Sequence, residues 1–475
     1  MNKGIKFGTA GFRGIIGDDW TRENIQRVGN AFRKMLEARG KSVNIVIGYD
    51  NRFMGRTFAQ WFCEAACCSK IRATLFDIPT STPTIAFKTV SADYGIMITA
   101  SHNPYFYNGI KILLKGGRDA GEDVTNEIEQ IIAQNNNISI TKFDQLLKTG
   151  EVKTASETGD YVDAVLKMID PDKIRKSGIK VLLNPMHGSG SNVAKTILTK
   201  TGVSFDIINE NADPYFGGKL PSPYPHNLVE MQKQVVLGKY NLGIALDGDA
   251  DRLSVIDEKG TFHDCNYLGA ALYYYLLQYK KQRGSAVKSF ITSNLLVRIA
   301  KKYGFEVHQA RVGFKFLAVA MQNSDAIIAV ENGGTGFRQL SYTKDGIASA
   351  MMIIDMLANL GQPISAIIKN LCDEVQFPSV WVEYAYPFSA EMREGILKKL
   401  GSPKKPDVGK IREVVNIDTF PDGYKIRLTG DYWCAARLSG TENVLRLQTE
   451  MPDNKSVEQV FKILEQFYGL SERQK

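Results

Sequence analysis

Among the residues whose types and spacing could do chemistry, Ser101 stands out. It lies in TASHNP, residues 99–104, directly after the apolar run Tyr94 to Ile98, so the sequence presents a hydroxyl on the loop leaving a buried strand. His102 is its neighbour, Asn103 and Pro104 turn the chain, and Lys111 in YNGIK follows ten residues after the serine. These are groups able to manage a proton or a phosphate beside a nucleophile. An ordinary polar loop can hold a Ser-His pair too. Recurrence separates the two readings: DYGIMITAS from Asp93, NLGIALDGD from Asn241 and DAIIAVENG from Asp325 each run from polar to apolar to a polar loop. Each reads as a buried parallel strand delivering a functional loop. In open α/β sheets ligands gather at the carboxyl ends of strands, so three such loops imply three related sheets facing one cleft.

The second loop, DGDADR, puts carboxylates at alternate positions, and in an extended loop residues two apart point the same way. Asp247, Asp249 and Asp251 can therefore converge on one hard cation. A calcium EF-hand would use these three and Glu258, but its sixth position wants glycine for the sharp turn and the chain has Arg252. The following LSVID also reads as a strand where an EF-hand would enter a helix. The residues favour a three-carboxylate Mg²⁺ site with open positions for a phosphate oxygen.

The third loop, ENGG, offers Glu331 before Asn332 and two glycines, Gly333 and Gly334, that let a ligand approach the backbone. Near the C-terminus RLSGTEN brings Arg437, Ser439, Gly440 and Thr441 together. A guanidinium, two hydroxyls and free backbone N–H groups make a phosphate cradle, although Ser-Gly-Thr is also common turn chemistry.

TASHNP with NGIK, DGDADR, the glutamate-glycine loop and RLSGTE, in this order and at domain-sized spacings, resemble the motifs of the α-D-phosphohexomutase family. The resemblance is to its bacterial phosphoglucomutase/phosphomannomutase group in particular. FGTAGFRG, residues 7–14, is similar to that family's N-terminal motif. The resemblance implies three related α/β/α domains with mixed sheets plus a smaller C-terminal α+β domain around one central cleft. It implies that Ser101 is carried as a phosphoserine and that Asp247, Asp249 and Asp251 hold Mg²⁺ against it, Ser101 joining the metal set. Arg13, His102 and Lys111 would surround the phosphoserine, with Lys111 or His102 handling the proton. Arg252 and Lys315, the latter in VGFK, would add positive charge. Glu331, Asn332 and Gly333 would read the sugar, and Arg437, Ser439, Gly440 and Thr441 would grip the phosphate that is not reacting.

The activity so implied is interconversion of hexose 1-phosphate and hexose 6-phosphate, glucose and/or mannose, through a bound hexose 1,6-bisphosphate that also serves as activator. A phosphoglucosamine mutase, a sugar-phosphate phosphatase and a non-catalytic phosphosugar sensor are the alternatives. A phosphatase has no need of a second phosphate cradle, and a sensor would be free to lose Ser101 or an aspartate. Two departures bear on the sugar: the third loop is commonly G-E-x-S-G, but Val330 precedes the glutamate and Gly333 replaces the serine, and Leu438 and Asn443 stand where prolines are common.

The bulk properties agree. The 475 residues carry a net charge of +8, suited to an anionic substrate, with 44% hydrophobic and 23% charged residues, an ordinary soluble composition. No dense basic tract interleaves with aromatics, so a small-molecule phosphosugar and not a nucleic acid is the expected partner. No apolar run approaches the roughly 18 residues a membrane span needs, and GIASAMMIIDMLANL, interrupted by Asp355, reads as a buried helix. The N-terminus lacks an apolar secretion core, the six cysteines form no C-x-x-C pair and the five histidines form no metal-spaced cluster. Buried thiols of a reducing cytoplasm are expected, in a monomer or homodimer. No Walker loop marks ATP as the phosphate source.

The elements that must position these loops follow from periodicity. Thr21 to Arg39 has helical apolar spacing with Gly40 as a stop, VNIVIGYD from Val43 is a strand, and the next helix carries Cys63 and Cys67 one turn apart. Similar units are expected around KVLLNP from Lys180 and SFITSN from Ser289, and one helix, Lys455 to Tyr468, closes the tail. The expected domains are 1–150, carrying the serine loop, 151–264, carrying the metal loop, 265–374, carrying the sugar loop, and 375–475, an α+β phosphate-binding domain.

Overall fold

The computed structural model describes residues 5–8, 11–134, 137–438 and 443–470. Three of its sheets follow one plan. In the first, Val43–Tyr49 has parallel neighbours Ile71–Phe76 and Tyr94–Ile98, and Tyr107–Leu114 returns antiparallel along Tyr94–Ile98. In the second, Lys180–Asn184 lies between Ser204–Ile207 and Leu242–Leu246, and Leu253–Asp257 returns along the latter. In the third, Ala286–Ser289 lies between Val307–Ala310 and Ile328–Glu331, and Gly334–Phe337 returns.

The strand before each chemically loaded loop is therefore parallel to its neighbour on one side only. The loops after Ile98, Leu246 and Glu331 are eight, six and two residues long. A parallel return needs a crossover of roughly a dozen residues or more, so the chain can only come back antiparallel. Each functional loop is thus a hairpin connection pinned at both ends by buried strands.

The first sheet carries extra strands: Phe7–Gly8 and Gly11–Ile15 extend it beyond the return strand, and Val152–Ala155 pairs with Ile71–Phe76 at the far edge. It thereby reaches a few residues past the boundary expected at Glu151. The expected first helix forms as Arg22–Ala38, with Thr21 Oγ1 accepting from Asn24 N at 3.2 Å as its cap and Gly40 just beyond its end at φ 69°. Cys63 and Cys67 are buried on and just after the helix Gly55–Ala66.

One strand is displaced from its expected place. It covers Ala286–Ser289 and ends where SFITSN begins. Phe290 and Ile291 are buried instead against Trp433 and Ala435 of the C-terminal domain. An apolar run next to a domain contact resembles the end of a strand, and periodicity cannot tell the two apart.

GIASAMMIIDMLANL is the helix Gly346–Leu360, which packs on helices Pro171–Lys176 and Ser191–Thr201 of the second unit and Cys265–Gln278 of the third. Asp355 in it is fully buried and accepts from Asp170 N and Tyr275 Oη, each at 2.8 Å, with Lys280 Nζ 2.6 Å away. A buried carboxylate so satisfied joins two domains. Among the described residues no single helix is long and apolar enough to cross a membrane.

The C-terminal sheet is wholly antiparallel. Val380–Pro387, Val444–Met451, Trp433–Leu438, Gly423–Leu428 and Val414–Phe420 lie side by side in that order, with helices Ala390–Gly401 and Asn454–Tyr468. Alternation divides its faces. Tyr384, Tyr386, Leu445, Leu447, Tyr424 and Ile426 share an apolar core with Val457, Phe461 and Leu464, while Glu383, Arg446, Gln448, Arg437 and Lys425 occupy the alternate positions. Glu450, on that polar face, is fully buried against the third domain, accepting from Asn294 N at 2.7 Å, Ser379 Oγ at 2.6 Å, Trp433 Nε1 at 2.8 Å and Ser293 Oγ.

Candidate active site

Ser101 sits where the buried strand Tyr94–Ile98 gives way to its loop, at φ 52°, a left-handed conformation that a side chain disfavours. Its Oγ donates to Asp247 Oδ2 at 2.8 Å and accepts from Arg252 NH1 at 2.6 Å. Serine and metal loops meet backbone to backbone: a Cβ on Gly248 would stand 2.7 Å from the Ser101 carbonyl oxygen, so glycine is required there.

The three aspartates are buried and each brings a carboxylate oxygen within 4.8 Å of the others. Lys111 Nζ, from the return strand Tyr107–Leu114, lies 2.6 Å from Asp249 Oδ2 and 2.8 Å from Asp251 Oδ2. Thr82 Oγ1 donates to Asp249 Oδ2 at 2.6 Å, and Arg252 N to Asp247 Oδ1 at 3.0 Å. Burial, then the neighbouring Asp249 and Asp251, pushes Asp247 up to about 7. Burial opposes ionisation of Asp251 too, but Lys111, Lys344 and Arg252 hold its carboxyl well below the usual range. Asp249 is opposed by burial and by Asp251, and Lys111 brings it down nonetheless.

Asp249 Oδ1 and Asp251 Oδ1 are buried without a hydrogen-bond partner. An all-oxygen set with two unmet acceptors fits a hard divalent cation such as Mg²⁺.

Basic groups surround the serine. His102 Nδ1 contacts Arg252 NH1, and burial, then Arg252 and Arg13, holds the imidazole well below its ordinary range, so it is neutral. For Lys111 burial opposes the charge, but Asp249 and Asp251 outweigh it and the ammonium stays protonated. Arg13, on Gly11–Ile15, donates to Asn103 Oδ1; burial, then Arg252, lowers it to about 10.

The remaining expected residues divide. Glu331 ends the strand Ile328–Glu331, its Oε1 3.4 Å from Lys344 Nζ. Asn332 turns towards the helix Cys265–Gln278, its Oδ1 accepting from Asn266 Nδ2 at 3.3 Å. Arg252 lies across Gly333, where a Cβ would stand 3.2 Å from its Nε, so the space a serine side chain would take is used by a guanidinium. Arg437 lies next to the end of the strand Trp433–Leu438, opposite Arg446 across the sheet, and its Nε is buried without a hydrogen-bond partner. Ser439, Gly440 and Thr441 lie outside the described residues. Lys315 Nζ lies 3.2 Å from Glu122 Oε1, tying the third domain to the first.

Sequence reasoning missed Lys344, Thr82, Asp50 and Arg52. Lys344 reaches both Asp251 Oδ1, at 3.7 Å, and Glu331 Oε1, and so joins the metal and sugar loops. Nothing local marks it, for it precedes the helix Gly346–Leu360 in an unremarked polar stretch. Asp50 and Arg52 did carry a signal. They follow VNIVIGY as Asp247 follows its own strand, and the same strand-exit rule would have selected them.

Comparison with known proteins matches residues 4–139, 159–260 and 264–375 to the models for phosphoglucomutase/phosphomannomutase alpha/beta/alpha domains I, II and III. The chain is 30% identical to a phosphoglucosamine/phosphogalactosamine mutase of Sulfurisphaera tokodaii, over 97% of this chain and 99% of the relative. It is also 30% identical to a phosphoglucomutase/phosphomannomutase of Thermococcus kodakarensis, over 94% of each. Its fold is similar to the crystal structure of the Paramecium phosphoglucomutase pp63/parafusin in its open form, with a TM-score of 0.82 and 21% identity over 98% of this chain and 95% of that one.

Proposed function

The chain belongs to the α-D-phosphohexomutase family of intramolecular phosphotransferases, and on that premise we propose that it interconverts hexose 1-phosphate and hexose 6-phosphate, with glucose and/or mannose as the sugar. One observation carries the reading. Ser101 Oγ lies within hydrogen-bond distance of both Asp247 and Arg252, at the edge of a buried triad of aspartates that Lys111 crosses.

Ser101, carried as a phosphoserine, gives its phosphoryl group to the free hydroxyl of the sugar phosphate. The bond from phosphorus to Ser101 Oγ breaks, one to the sugar oxygen forms, and the hydroxyl proton leaves. Lys111 or His102 handles that proton, and Ser101 Oγ takes one up as it leaves. Arg252, Arg13 and Lys111 neutralise charge spread over the transferring group. Asp247, Asp249, Asp251 and Ser101 would hold Mg²⁺, which when bound polarises the phosphoryl oxygens. The bound 1,6-bisphosphate turns over and returns its other phosphoryl group to Ser101, while Arg437, Ser439, Gly440 and Thr441 hold the distal phosphate. Hexose 1,6-bisphosphate also primes an unphosphorylated Ser101.

Incubation with labelled glucose 1,6-bisphosphate tests the reading: wild type should take label and Ser101→Ala should not. Label retained by the variant would move the chemistry elsewhere. Turnover of glucose, mannose and glucosamine phosphates on one preparation decides the sugar. The name of the Sulfurisphaera relative keeps a hexosamine reading open, and a dominant rate on glucosamine phosphate would establish it.

A further inference from the structure

Behind the serine loop lies a group of residues that touch neither the aspartate triad nor the sugar loop. Arg52 stands just past the carboxyl end of Val43–Tyr49, and its side chain is fully buried. NH1 donates to the carbonyls of Pro104 at 2.8 Å and Tyr107 at 2.9 Å. NH2 donates to those of Ser101 and Asn103, each at 2.7 Å. Three carbonyls of one short loop and that of the first residue of the return strand thus converge on a single guanidinium, curling the loop around it. The second domain closes over the Arg52 side chain, with the Phe216 ring 5.0 Å from its guanidinium carbon.

Asp50 completes the arrangement. Its Oδ2 accepts from Arg52 Nε at 3.2 Å and from Thr99 Oγ1 at 2.6 Å, and Thr99 Oγ1 in turn accepts from Ser101 N at 2.8 Å. Ser101 is therefore gripped at both ends of its backbone: the N–H through Thr99 and the carbonyl through Arg52. A residue at φ 52° relaxes unless its surroundings over-determine it.

We propose that Arg52, Asp50 and Thr99 are positioning residues for the phosphoryl carrier. They hold Ser101 in its left-handed conformation with Oγ turned to Asp247 and Arg252, so that the same serine geometry is met in both halves of the reaction. This rests on Ser101 being the carrier. Because Arg52, Asp50 and Thr99 bond to the serine loop and to one another and not to Glu331 or Arg437, their loss falls on the transfer step and not on sugar binding.

The experiment compares Thr99→Val, which removes the hydroxyl, with Thr99→Ser, which keeps it, and adds Arg52→Lys. The readouts are kcat and KM for glucose 1-phosphate, the rate at which labelled glucose 1,6-bisphosphate phosphorylates the enzyme, and the thermal midpoint. Thr99→Val and Arg52→Lys should slow labelling and kcat on the order of 10- to 100-fold with KM within about threefold of wild type, and Thr99→Ser should recover most of the rate. If Arg52→Lys does not fold, the Thr99 pair decides alone. Labelling at the wild-type rate in Thr99→Val, a rise in KM with kcat unchanged, or equal impairment of Thr99→Ser and Thr99→Val would overturn the proposal. A wild type that takes no label on Ser101 would instead remove the carrier reading and this proposal with it.

Discussion

The serine loop and the C-terminal sheet both bury polar atoms without partners, but the charges gathered there differ in sign, carboxylates at the first and paired arginines at the second. At the serine end the unmet groups are acceptors: Asp249 Oδ1 and Asp251 Oδ1 are buried without a hydrogen bond, although Lys111, Arg252 and Thr82 serve the other oxygens. In the C-terminal domain Arg437 Nε, a donor, is buried without a hydrogen bond, as are Asp422 Oδ1 and Gln448 Oε1, and the sheet sets Arg437 directly opposite Arg446. Like charges opposite each other in a sheet repel, and Glu383 compensates through Arg446. Three converging carboxylates with two unmet oxygens suit a cation, and a buried guanidinium with an unmet N–H suits an anion. In the proposed reaction the first region carries the chemistry and the second receives the distal phosphate.

The largest effect expected from this contrast is at the serine end. Asp249→Asn takes a charge from the cation site and a partner from Lys111, and turnover should fall on the order of 10²- to 10³-fold, more than substrate affinity does. Steady-state kinetics with titrated Mg²⁺ checks it, and full activity in excess EDTA would exclude the cation altogether.

At the other end, Arg437→Ala should lower kcat/KM by about 30- to 150-fold, the equivalent of about 2–3 kcal/mol for a charge-assisted contact. Hydrolysis of the phosphoserine should change far less. Mutase turnover and phosphate release measured together test the division of labour. An equal fall in both would mean that Arg437 supports the fold.

A smaller effect belongs to the loop between the ends. Without a hydroxyl at Gly333 the site lacks one directed hydrogen bond, worth about 1 kcal/mol, or about fivefold, between gluco and manno epimers. Comparable rates on both epimers are expected, and a preference above about a thousandfold would defeat this account. Gly333→Ser places a Cβ 3.2 Å from Arg252 Nε, so it should cost a few-fold in kcat by shifting that guanidinium.

Much of this was legible in the chain. Ser101 and the aspartates announced themselves because a buried strand followed by a polar loop is a local pattern, and because carboxylates two residues apart share a side. The first helix was legible from its period and from Gly40. Asp50 and Arg52 obeyed the same strand-exit pattern, but their partners are carbonyls, which no residue type advertises. Lys315 carried a charge whose pairing with Glu122, from another domain, nothing in the local sequence marks. Phe290 and Ile291 looked like strand and are buried by Trp433 and Ala435, well over a hundred residues on.

By itself the sequence determined the apolar periods, the loop lengths and the order of the chemical groups, because these follow from covalent spacing and side-chain type alone. The short loops even compelled the antiparallel returns, since too little chain remains for a crossover. Only the tertiary structure decided which charges meet. Lys111 was drawn to Asp249 and Asp251, Lys344 to Asp251 and Glu331, and Arg252 to Ser101 and across Gly333, because pairing of buried charges depends on distance in space, to which separation along the chain is no guide.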